Sequence, residues 1–85
     1  MTEEVDDMAV DSREAFGRFV GLLRQDLQVA PERWENTSLV DFLDAMQAYA
    51  LDIQDIYDNA GQPADADKPS WQIFADILRG ASIYE

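Results

Sequence analysis

The chain reads as an all-α domain: a small antiparallel bundle of three main helices, over about residues 12–28, 38–60 and 70–82, with a short helical turn at 31–34. Three observations predict this. Apolar residues recur at spacings of three and four along each stretch, the stretches are separated by proline- and glycine-bearing connections, and no run alternates as a strand would. Amphipathic helices bury their stripes against one another, which gives a bundle.

The first helix is expected to open at Asp11, with Glu14 three places on completing a capping box. Phe16, Phe19, Val20, Leu23 and Leu27 then form one apolar face, and Arg13, Arg18 and Arg24 fall largely off it, free to stay in water or to reach acids of a neighbouring helix. Pro31 pushes Ala30 out of helical geometry, so the helix ends near Gln28. Pro31-Glu32-Arg33-Trp34 reads as a helical turn led by proline. Ser38 with Asp41 opens the second helix. Leu39, Phe42, Leu43, Met46, Tyr49, Ala50, Ile53, Ile56 and Tyr57 keep its period, and Gly61 followed by Pro63 stops it. Gln62 to Pro69 is the loop that reverses the chain. Ser70 caps the third helix, where Trp71, Phe74, Ala75, Ile77, Leu78, Ala81 and Tyr84 point one way. Gly80 costs that helix roughly 1 kcal/mol relative to alanine, which favours an early end. Residues 1–10 are acidic and lack a clear period, so they are expected to be a disordered lead-in to a single domain over 11–85.

At 85 residues there is room for one core. The chain has no cysteine and no histidine, so disulfides and thiolate zinc sites are excluded and the core must come from packing. Met1 to Asp7 lacks the basic and apolar regions of a signal peptide, and no run approaches the roughly 18 apolar residues of a spanning helix. The expected setting is cytoplasmic, away from membranes. Net charge is -12 and unevenly placed: residues 36–60 carry five aspartates and no base. Such a field repels nucleic acid and favours a cationic partner.

The same composition argues against catalysis. There is no Cys or His nucleophile or base and no glycine-rich phosphate loop, and the carboxylates recur along one helix face instead of facing each other across a cleft. Calcium is tested by Asp58, Asn59, Asp65 and Asp67. With Gly61 as the loop glycine, however, Ile56 falls on the first ligand position, so the spacing fails. No cofactor or metal is expected.

What remains is contact. Asp41, Asp44, Asp52, Asp55 and Asp58 form a stripe that is either a solvated face, partly paired with Arg13, Arg18 or Arg24, or a docking face for a basic protein. Trp34, at a helix start, either closes the end of the bundle or anchors a partner. Gly17 and Gly21 let a helix approach closely, within the chain or from a second copy. The expected function is therefore a non-catalytic protein-binding module, with a homodimeric structural or regulatory protein, joined through a patch including Trp34 and Tyr57, as the alternative.

Trp34-Glu35-Asn36, Leu39, Phe42-Leu43, Ala45-Met46, Ser70-Trp71, Phe74-Ala75, Leu78 and Tyr84-Glu85 together resemble a family of small acidic bacterial proteins of unknown function. The resemblance covers about Ser12 to Glu85. Some members resemble the immunity-type partners found beside bacterial toxins, which implies a protein partner and carries over no catalytic residue. Gly80 stands where the pattern leads one to expect alanine.

Overall fold

The structure, a computed structural model, describes residues 8–85. It contains α1 (Arg13–Val29), a 3-10 turn (Pro31–Arg33), α2 (Leu39–Asn59) and α3 (Trp71–Ile83), with no strand among the described residues. Each helix starts at a serine in extended geometry whose hydroxyl accepts the N–H three residues on: Ser12 from Ala15, Ser38 from Asp41 and Ser70 from Ile73, all at 3.1 Å. Each bond satisfies one of the N–H groups that a helix start leaves unpaired. The cap of α1 is thus Ser12 and not Asp11. The α2 stop is a Schellman arrangement. Gly61 adopts φ +71°, its N–H donates to Asp58, and the Gln62 N–H reaches back to Tyr57.

The N-terminal approach to α1 corrects a second expectation. Met8 and Val10 are buried, and the Val10 N–H donates to Gln72 Oε1 at 2.8 Å. Two apolar side chains at alternate positions of an extended segment can both enter a core without leaving any helical period. Residues 1–7, expected to be disordered, lie outside the described residues.

The helices do not share one core equally. α3 packs against both α1 and α2, while α1 and α2 scarcely meet. Hydrophobic burial therefore falls in two halves on either side of α3. On one side Met8, Val10, Ala15, Phe19, Leu23 and Trp34 gather around Ala75, with Leu78 packed against them. On the other, Ile53 and Tyr57 meet Ile73, with Tyr49 and Ile77 alongside.

Gly80 belongs to this second half. It is buried, and a Cβ built there would overlap the Tyr49 ring. α3 does not end at Gly80 but continues to Ile83, because the missing side chain is what lets α2 approach.

The half-cores leave a consequence on the surface. Val20, Leu39, Leu43, Trp71 and Phe74, all expected on inward faces, are exposed. The apolar stripes of α1 and α2 are real, but no helix among the described residues covers the strip where the two would have met.

Candidate functional site: an acidic helix face beside an apolar groove

Asp41, Asp44, Asp52, Asp55 and Asp58 are all exposed along α2, which carries no base over its 21 residues. The expected pairing with α1 does not form. Arg13, Arg18 and Arg24 are exposed too, and none of them makes an ion pair with α2 among the described residues. Two members of the stripe have neutral partners: Asp52 accepts the Tyr84 hydroxyl, and Asp58 accepts Gln54 Nε2 at 3.1 Å. Gln54 also ties down the following loop through the Ala64 carbonyl and the Ala66 N–H. In that loop Asp65 accepts the Asp67 N–H, so it shapes a turn. No group of three or more carboxylates among the described residues is placed to hold a metal ion.

Positive charge collects at Asp26 on α1. Its carboxylate takes Arg33 Nη2 at 2.6 Å and the Trp34 indole N–H at 2.8 Å, with Arg79 at 3.5 Å. This places Trp34 at 9 % exposure, stacked on Phe42 with ring centroids 6.0 Å apart. Trp34 is therefore packed within the fold, at one end of the groove described below. Tyr57, the other aromatic expected in a dimer patch, is likewise buried.

Beyond Trp34 the chain meets the end of α3. The N–H groups of Glu35 and Asn36 both donate to the Ser82 carbonyl, and Asn36 Nδ2 donates to the carbonyls of Ala81 and Tyr84 at 2.9 and 2.7 Å. The carbonyls that a helix C-terminus leaves unpaired are thus satisfied by residues 45 and more positions away in sequence. Glu35 and Asn36 on one side, and Ala81, Ser82 and Tyr84 on the other, form one clasp. The family model that matches the chain spans both. This chain belongs to the family of unknown function DUF7660. The match to DUF7660 covers residues 12–85. No curated protein and no solved structure is significantly similar to the chain.

Three tyrosines complete the picture on the α2–α3 side. Tyr57 donates to Asp76 Oδ2 at 2.6 Å, and Asp76 Oδ1 accepts Gln72 Nε2 at 2.9 Å. Burial, then the bond to Asp76 and its charge, push the Tyr57 hydroxyl well above the ordinary tyrosine range. Tyr49 is raised by burial and the Asp76 charge, and Tyr84 chiefly by its bond to Asp52. These groups stay neutral at physiological pH, and Tyr57 and Tyr84 act as donors.

The remaining feature is the strip that α1 and α2 leave open. It is a groove with two adjoining cavities of about 350 and 450 Å³ that share Leu78 as floor. Val20, Leu23 and Leu27 face Leu39 and Phe42 across the first. Phe16 faces Leu43, Met46 and Ala50 across the second, with Phe74 beside the floor. Sequence reasoning assigned these residues to the core, since periodicity identifies an apolar face without saying what covers it. No helix among the described residues is long and apolar enough to cross a membrane.

Proposed function

We propose that the chain is a non-catalytic protein-binding module whose acidic α2 face engages a cationic protein, for instance as an immunity-like inhibitor covering a basic toxin. One observation carries this reading: five exposed aspartates on one helix with no base, left unneutralised by the arginines of α1. Solvent-facing carboxylates of one sign add repulsion and little stability to the fold, but they raise the encounter rate with a positive surface. The absence of histidine and cysteine and the solvent setting of the aspartates favour contact over chemistry. Asp55 and Asp58 lie beyond the groove, so reversing both to lysine tests the charged face alone. Affinity capture with the folded wild-type chain is expected to retain a basic protein at low salt, to lose it as salt rises, and to fail with D55K/D58K. Equal capture by both baits at both salt levels would contradict the reading.

A further inference from the structure

The two walls of the groove are unlike, and their differences are complementary. The α2 edge is a bulky ridge: Leu39, Val40 and Leu43 are 72, 77 and 50 % exposed, and helical spacing places Asp44, then Asp41, just outside it. The α1 edge is flat and basic. Gly17 and Gly21 lie beside Val20 with open space where their Cβ atoms would stand, and Arg24 lines the rim. The glycine pair therefore accommodates no helix among the described residues. Each wall runs 12 residues, Phe16 to Leu27 and Leu39 to Ala50, a rise of roughly 16 Å or about three turns.

A surface with ridge and acids on one side of a line, and a flat basic strip on the other, is complementary to itself under a two-fold rotation about that line. We propose that the groove is the interface of a homodimer, in which two copies face each other with the two-fold axis along the groove and α1 of each lies over α2 of the other.

Levels along the groove agree with this. Val20 and Arg24 stand level with Leu39 and Phe42, and Phe16 with Leu43 and Met46. Rotation about the groove axis preserves those levels. It brings the Leu43 ridge of one copy onto the Gly17–Gly21 strip of the other, and Arg24 within reach of Asp41 and Asp44. A second copy thus supplies apolar cover for Val20, Leu39 and Leu43 and opposite charge at both rims. It leaves Asp55 and Asp58 outside the contact, so the dimer goes beyond the cationic-partner reading and stands or falls separately from it.

Salt separates the two. Each subunit carries -12, so approach of two copies is opposed by long-range repulsion that added salt screens, whereas the apolar contact is unaffected by screening. Dimerisation strengthens with salt where binding to a cationic partner weakens.

The test is sedimentation equilibrium of the full chain from about 5 to about 500 μM, at about 0.15 and about 0.5 M salt. The mass is expected to rise with concentration from 9.6 kDa toward twice that value, and at lower concentration in the higher salt. Gly21→Leu puts a side chain into the flat strip, where none of the described residues is in the way, and improves the propensity of α1. It is expected to keep or raise Tm while holding the mass at 9.6 kDa. Arg24→Asp is expected to weaken the dimer about fivefold or more, and addition of Asp44→Arg to restore it. A mass of 9.6 kDa at every concentration and both salts would overturn the proposal, as would a dimer indifferent to both Gly21→Leu and the charge exchange.

Discussion

Gly80 and Tyr49 compete for one space, and that fixes what each can be. A methyl group at position 80 would overlap the Tyr49 ring. Gly80→Ala gains about 1 kcal/mol of helix propensity yet is expected to destabilise by about 1–3 kcal/mol through overpacking. Thermal unfolding reads this as a Tm lowered by about 4–8 °C per kcal/mol for a domain of this size. Adding Tyr49→Leu should recover part of the loss, so that the pair is less destabilised than the sum of its members. Tyrosine also sets the alkaline limit. The pKa values of Tyr49, Tyr57 and Tyr84 are all raised on folding. A group whose folded pKa exceeds its unfolded value contributes stability in full below the unfolded value, about 10 for tyrosine, and loses it as pH rises toward the folded one. Denaturant midpoints are therefore expected to hold up to about pH 9 and to fall above about pH 10, and Tyr57→Phe to flatten that fall. An equal slope in the variant would remove Tyr57 as its source.

At the scale of elements, the helices were legible because their ends are chemically marked. Ser38, Ser70 and Gly61 lie where capping rules put them, and the 3-10 turn starts at its proline. Asp11 and Ser12 are adjacent cappers, and sequence alone favoured the wrong one. The burial of Met8 and Val10, with the Val10 N–H on Gln72, sets the chain's entry so that Ser12 reaches the Ala15 N–H. Long-range clasps are not legible in this way. Nothing in Asn36 announces that it caps a helix end 45 residues on. Ser70→Ala is expected to cost about 1 kcal/mol, as at other N-caps. Asn36→Ala removes both donors to the Ala81 and Tyr84 carbonyls, and faster amide exchange at Ile83 and Tyr84 is the expected result. Unchanged protection there would mean that the clasp contributes nothing to the end of α3.

At the scale of the molecule, one helix carries two half-cores, and that arrangement generates both proposed surfaces. Because α1 and α2 each pack on α3 and scarcely on each other, the arginines of α1 do not neutralise the aspartates of α2, and an apolar groove stays open between them. Sequence periodicity found every apolar residue of that groove but assigned it to the core, since a stripe is the same whether its own chain or another covers it. The acidic stripe was legible as charge, and the absence of ion pairs between it and the arginines of α1 only as geometry. The clasp of Glu35 and Asn36 on Ala81, Ser82 and Tyr84 holds the end of α3, and Asp55 and Asp58 take no part in it. The central claim is that the outer face of α2 binds. It is tested most directly by the association rate of the wild-type and D55K/D58K chains with the captured basic partner, followed by stopped-flow as ionic strength is raised. The account predicts a wild-type rate that is fast at low salt and falls steeply as salt is added, and a variant rate about tenfold or more lower with a flatter salt dependence. Equal rates and equal salt slopes for the two chains would contradict it and leave the acidic face as solvated surface.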